Sequence, residues 1–412
     1  MAFWKGNGIL YVDSPLPQCQ SQSNDGDEET TDVGTEKKNS YWAQSHRMLL
    51  IKKRLRFKQL MEDVFMKHRV LVVGAAREST GGVTTVLNLC EKMPMWKKWQ
   101  CYWLGTQLHG SYGRKAWYAF KAIFRAIFII WKYDIVHFHT TPDKGGLLIQ
   151  LPILIMAKMG RKKTIMHIHV GNQLNDNTEN KFFIWWMQHC DVIVLLAKKW
   201  LNLLSQKYPQ VKTPKVVVYN ACEEKVFVPM DKKDKTIVFV GSLNENKAPD
   251  VLIKAWAQIE KKYPEWKLEF LGSGSSEKQS KELVHQLGIA NRVEFLGFCH
   301  GQKLESHFSK ASVYVMCSYN EGFPMAVIEA WAYGDAVLTT PVGGLPDVIE
   351  EGKNCLTFDF GNYDELSDCL AQVLGSTSKR TSLGDYGRKV VYEHFSMQKI
   401  NDEFEQLYRV SS

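Results

Sequence analysis

The stretch Glu321-Gly322-Phe323-Pro324-Met325-Ala326-Val327-Ile328-Glu329 sets two carboxylates eight positions apart and prescribes where each points. Gly322 allows a tight turn, and Pro324 suits the first helical position, where a missing N–H costs nothing. Residues 325–333 then read as a mostly apolar, buried helix. Glu321 therefore belongs to the loop before that helix, and Glu329 rides one to two turns inside it. Between them lies a helix N-terminus with free backbone N–H groups and the positive end of the dipole, a natural seat for a diphosphate. A buried helix with a stray Glu at each end accounts for the same residues, so the neighbouring segments decide.

Outward from this stretch the chain alternates strand, loop and helix from Arg69 on. Strands are predicted at 70–73, 101–104, 135–138, 164–168, 192–195 and 216–218, with helices between, for instance at 144–159 and 198–207. A second set follows at 237–240, 268–271, 293–295, 313–316 and 337–339, after a Lys- and Glu-rich linker over 223–235 that contains Pro229. Such alternation predicts an α/β chain with two Rossmann-like, doubly wound parallel sheets facing across a cleft.

The loops after several strands carry chemistry. Gly74-Ala75-Ala76-Arg77-Glu78-Ser79-Thr80-Gly81-Gly82 follows the first strand, at the edge where doubly wound sheets bind ligands. Its adjacent glycines let backbone approach a ligand, and their amides start a helix facing an anion. Asp134-Ile135-Val136-His137-Phe138-His139 and His167-Ile168-His169-Val170-Gly171 each end an apolar strand with paired histidines. Alternation sends His137 and His139 to one face, and near-neutral imidazoles suit hydrogen bonding to sugar or phosphate. A four-histidine metal site would fit the same residues but lacks accompanying carboxylates. Val240-Gly241-Ser242-Leu243-Asn244-Glu245-Asn246-Lys247-Ala248-Pro249 runs from strand to helix, and Leu271-Gly272-Ser273-Gly274 is another glycine turn after a strand.

Taken together, these segments resemble the retaining glycosyltransferases of family 4 (group 1), enzymes of the GT-B fold, from about Arg69 to the C-terminus. The opening stretch is similar to the family's E-x7-E signature, Gly81-Gly82-Val83 to its GG-V loop, and Gly241 to Ala248 to its G-R-L-x-x-x-K-G. Asn291 to Phe298 and Pro341 to Ile349 match further nucleotide-side segments. The resemblance implies transfer of a sugar from a nucleotide-diphosphate sugar to a saccharide or lipid-linked saccharide acceptor in cell-surface polysaccharide assembly, with retention and without a metal or other cofactor. It implies that Glu321 faces the donor sugar and Glu329 binds the ribose hydroxyls. Backbone amides of Phe323, Met325 and Ala326 would seat the diphosphate and sugar. Lys247 would neutralise the diphosphate with Gly241, Ser242 and Gly272 alongside, and Gly81 and Gly82 would lie near donor phosphate and acceptor. His169 is the first active-site histidine and His139 the second. Ser242 stands where the family has arginine and Ala248 where it has glycine. Losing a bidentate phosphate clamp is not conservative, so a non-catalytic GT-B-shaped subunit that binds a sugar nucleotide stays open.

The expected domains are a disordered and basic extension over 1–66, an acceptor-side domain over 67–225, a nucleotide-sugar domain over 236–380, and helices over 381–412 crossing back to the first domain. Net charge is +8 overall, but residues 41–220 carry +19 against −4 for 1–40 and −7 for 221–412. One half alone therefore seeks an anionic partner. Its aromatics form no recognisable stacking motif for nucleic acid, which favours an anionic membrane surface. Residues 114–128 have helical periodicity, with Arg114, Lys115, Lys121 and Arg125 beside Trp117, Tyr118 and Phe124, side chains suited to an interface; the basic segment 52–58 would assist. No apolar run reaches the roughly 20 residues of a membrane span. The nine cysteines are scattered, with no C-x2-C pair, which points to a reducing cytosol, with the protein peripheral at the inner face of the cytoplasmic membrane. The missing G-x-G-x-x-G argues against a Rossmann oxidoreductase.

Overall fold

A computed structural model describes residues 68–79, 81–108, 111–169 and 181–411. The extension expected over 1–66 lies outside these residues, as do Thr80 and residues 170–180. Six parallel strands form the first sheet: β1 (Val70–Ala75), β2 (Tyr102–Gln107), β3 (Ile135–Thr140), β4 (Lys163–Ile168), β5 (Val192–Leu195) and β6 (Lys215–Val217), in the order β2-β1-β3-β4-β5-β6. The central strands are buried along nearly their whole length, as continuous apolar runs must be when helices cover both faces. Those helices are α1 (Gly82–Lys92), α2 (Pro94–Lys98), α3 (Tyr112–Ile129), α4 (Lys144–Met159), α5 (Lys181–His189) and α6 (Lys198–Lys207).

The second sheet is built in the same way. It contains β7 (Thr236–Val240), β8 (Lys267–Leu271), β9 (Val293–Gly297), β10 (Val313–Met316), β11 (Ala336–Thr339) and β12 (Cys355–Thr357), in the order β12-β11-β10-β7-β8-β9. Around it lie α7 (Pro249–Ile259), α8 (Glu277–Gln286), α9 (Gln302–Lys310), α10 (Met325–Tyr333), α11 (Tyr363–Leu374) and α12 (Thr377–His394), and the chain ends in α13 (Met397–Ser411). Strand order reverses between β1 and β3 in one sheet and between β7 and β10 in the other. Ligands of open α/β sheets bind outside the carboxyl ends of strands at such reversals, and the loops singled out by sequence leave β1, β3, β7 and β10.

The return to the first domain starts later than residue 381. Helix α12 packs along α10 and β11 through His394, so residues 381–394 stay with the second sheet. The crossing is made at Phe395-Ser396, where the Cys222 amide donates to the Phe395 carbonyl at 2.7 Å. Helix α13 packs on the first domain, where the Met95 amide donates to Asn401 Oδ1 at 2.8 Å. Tyr219, Phe323 and Phe395 pack together at this junction, with ring centroids 5.2–5.6 Å apart. Below β7, Lys233 and Asp335 form an ion pair with both side chains fully buried. Truncating either one would strand a charge in the core, at a cost of about 3–5 kcal/mol.

Candidate active site

The second-domain half of the site starts where β7 stops. A Cβ on Gly272 would lie 1.8 Å from the Gly241 carbonyl oxygen, so only glycine lets the loops after β7 and β8 run side by side. Asn244 Oδ1 accepts from the Lys247 amide at 3.0 Å and closes the turn. Ala248 then adopts a left-handed conformation, φ 43° and ψ 57°, which explains why glycine is expected there. The Lys247 side chain folds back over Gly241, and its ammonium pairs with the Glu321 carboxylate, both groups being largely but not wholly buried. Ser242 is exposed beside them.

Glu321 lies in the loop from β10 to α10. Pro324 is the N-cap of that helix, not its first residue; its ψ of 93° is extended, and Met325 begins the helix. The amides of Met325 and Ala326 belong to the first turn, where a helix has no internal acceptor for them. Phe323 is buried against Tyr219 and Phe395, so its ring serves packing. Glu329 is the fifth residue of α10 and has other surroundings than Glu321. Burial pushes its carboxyl up; Lys225 pulls it down, and Glu305 and Glu223 push it up further. Lys225 bridges Glu305 at 2.7 Å and Glu223 at 3.6 Å. These three residues line a cavity of about 710 Å³ beside the linker, with Lys92, Tyr333 and Met397.

On the first-domain side, Gly81 is the N-cap of α1 and Gly82 its first residue, with no side chain capping the end. His139 lies opposite His167 in the β3–β4 register. The four imidazoles form one array, with centroids 4.3 Å apart for His137–His139 and for His167–His169. At the strand ends His139 Nδ1 and His169 Nε2 are 2.8 Å apart. Deeper in, His137 Nδ1 meets the Tyr408 hydroxyl of α13 at 3.0 Å. Burial holds His137 and His169 down at about 3, and holds His139 and His167 well below the usual imidazole range, with neighbouring histidines adding to the effect. At neutral pH these rings are uncharged, and they can accept or donate single protons in hydrogen bonds.

The two halves clasp each other. Trp200 Nε1 on α6 donates to the Gly322 carbonyl at 2.9 Å. Asp347 accepts from the Lys198 amide, supplying from the second domain the cap that Ala197 lacks, and from Tyr219 Oη at 3.3 Å. A Cβ on Gly344 would come within 2.5 Å of the Phe323 ring and 2.8 Å of the Ala197 methyl. Trp200, Lys225 and Asp347 are site-shaping residues that sequence reasoning missed. Asp347 sat in a segment already singled out, but nothing local announces a partner in another domain.

Residues 222–390 match the model of the family described as glycosyl transferases group 1. An uncharacterised glycosyltransferase of Methanocaldococcus jannaschii is 31% identical over 304 residues, 68% of this chain and 76% of that one. The chain belongs to the group 1 glycosyltransferases. A D-inositol 3-phosphate glycosyltransferase of Corynebacterium urealyticum is 33% identical over 182 residues, 42% of this chain and 43% of that protein. The glycosyltransferase thus spans well under two thirds of that second relative. A solved structure of Anabaena HepE in complex with UDP has a TM-score of 0.66, covering 83% of this chain and 100% of that one at 17% identity. The fold of this glycosyltransferase is GT-B.

Proposed function

We propose that this glycosyltransferase moves a sugar from a nucleotide-diphosphate sugar to a saccharide or lipid-linked saccharide acceptor, with retention at the anomeric carbon, in cell-surface polysaccharide assembly at the inner face of the cytoplasmic membrane. The observation that carries the reading is the Lys247–Glu321 pair at the mouth of α10. A diphosphate seated on the Met325 and Ala326 amides would compete with Glu321 for the Lys247 ammonium. Charge developing on the departing diphosphate would then be met by Lys247, Ser242 and helix-terminal amides rather than by a metal ion. Glu321, released from Lys247, would face the donor sugar, and Glu329 would take the ribose hydroxyls. His139, His169 and the Gly81-Gly82 turn would line the acceptor side. Among the described residues no hydrogen bond or ion pair brings a second carboxylate to Glu321, which supports attack on the face of departure over a covalent intermediate. The bound UDP of Anabaena HepE supports a nucleoside diphosphate as leaving group.

The acceptor reading rests on α3. Trp117, Phe120, Phe124, Ile127 and Phe128 are exposed along it, with Trp131 just beyond, while Ala119, Ala122 and Ala126 face the core. Tyr118 is not part of this face; its hydroxyl turns inward to Glu78 at 3.4 Å. Among the described residues no helix is long and apolar enough to cross a membrane. An aromatic stripe edged by Arg114, Lys115, Lys121 and Arg125 suits an anionic lipid surface, which would bring the cleft to a lipid-linked acceptor.

Release of nucleoside diphosphate, followed with and without a crude lipid acceptor, tests the transfer. Acceptor-stimulated release is expected, and Glu321→Ala should slow it at least tenfold while leaving donor binding and the circular dichroism spectrum in place. Unchanged turnover in that variant would remove Glu321 from the mechanism.

A further inference from the structure

The histidine array has more hydrogen-bonding capacity than the protein around it uses. His137, His139 and His167 are essentially fully buried. One ring nitrogen from each can be chosen so that all three lie within 4.8 Å of one another. His137 Nε2 and both ring nitrogens of His167 are buried without a hydrogen-bond partner. Buried polar atoms are nearly always satisfied, and those that are not call for a ligand, an ion or a water.

The partners that do exist orient the rings. With Nδ1–H of His137 donated to the Tyr408 hydroxyl and Nδ1–H of His139 donated to His169, each ring turns its Nε2 lone pair away from those bonds. Metal-ligating histidines are held in this way, the second nitrogen donating to an outer partner that fixes tautomer and orientation. The donor set is imidazole only, which suits zinc, copper or nickel rather than the oxygen-seeking magnesium or calcium.

We propose that His137, His139 and His167 bind one divalent late transition-metal ion, zinc foremost, and that this ion fixes the seat of α13 on the first sheet through Tyr408. Zinc–nitrogen bonds of about 2.0–2.1 Å give a tetrahedral edge of roughly 3.3 Å. The rings must therefore rotate inward by about an ångström, with the fourth position left for a non-protein ligand. Phe404 of α13 lies over His137 and His167, at centroid distances of 5.9 and 6.1 Å, and would shield the ion from solvent. The site does not rest on the glycosyl-transfer reading, because its readout is metal content and not turnover.

The test uses the untagged full chain, stripped with EDTA, incubated with cobalt(II) and gel-filtered. About one equivalent of cobalt should stay bound, with the strong visible absorption of a tetrahedral site, and zinc should displace it. His167→Gln should abolish retention, and Tyr408→Phe should raise the dissociation constant about 10–100-fold while keeping the ring's packing. If His167→Gln fails to fold, cobalt X-ray absorption on the wild-type chain counts imidazole ligands directly, and fewer than three overturns the proposal. No retained cobalt, or retention indifferent to both substitutions, also overturns it and leaves buried water as the partner of these nitrogens.

Discussion

Lys247 and Glu321 come from loops 74 positions apart and meet because β7 and β10 are neighbours in the sheet. Their exposed neighbour Ser242 occupies the position where a guanidinium would complete the clamp. Ser242→Arg has open space to enter and should tighten donor binding by about 1–2 kcal/mol, the scale of a charge-assisted hydrogen bond. Calorimetry on the folded variant reads this directly, and no gain would mean that the diphosphate does not pass Ser242. At this scale the sequence was informative where chemistry is local. Glu321 and Lys247 could be picked out from their own segments, and Ala248 as a glycine-like position proved to be left-handed. Trp200 and Asp347 could not, since their partners Gly322 and Lys198 lie 122 and 149 positions away in the other domain.

Among the elements, β3 and β4 bear three neutral histidines and His169 follows just past β4, and this has a consequence for acid stability. Their folded pKa values lie below the unfolded value near 6.5, at about 3 for His137 and His169. Below pH 6.5 the unfolded chain therefore binds more protons than the native one, and stability falls as pH falls. In the presence of EDTA, denaturant melts should show stability falling as the pH drops from 6 to 4, because the unfolded imidazoles take up protons that the buried ones refuse. His167→Gln, if folded, should flatten that slope, and a pH-independent midpoint would mean that the array is solvated. Pairing of the histidines was legible from alternation alone; their coverage by α13 was not, because it depends on where the closing helix turns back. The helices expected over 381–412 do not cross together, since the chain breaks at Phe395-Ser396 and crosses between domains there. Strand β12 escaped notice because Cys355-Leu356-Thr357 lacks the run of β-branched residues, Val216-Val217-Val218, that announced the equally short β6.

For the whole molecule, the charge imbalance and the aromatic stripe of α3 fall on the same domain. Periodicity showed the helix, but it placed Tyr118 on the wrong face, since only the packed structure shows that its hydroxyl is drawn to Glu78. Flotation with anionic vesicles should recover the protein at low salt and release it at high salt, each nearby cation contributing about 1 kcal/mol. Phe120→Ser with Phe124→Ser should reduce recovery without unfolding, both rings being exposed. Equal recovery on neutral and anionic vesicles would remove charge from the docking, and no recovery on either would favour a soluble acceptor. The claim on which the rest depends is that the cleft beside α10 binds a nucleotide-diphosphate sugar. A thermal-shift panel of uridine, guanosine, adenosine, cytidine and thymidine diphosphate sugars measures it, because a ligand that binds only the folded state raises the melting temperature. At least one base should raise the wild-type midpoint, with the shift lost in Lys247→Ala and reduced in Glu329→Ala. No shift with any of the five, or an equal shift in both variants, would contradict it.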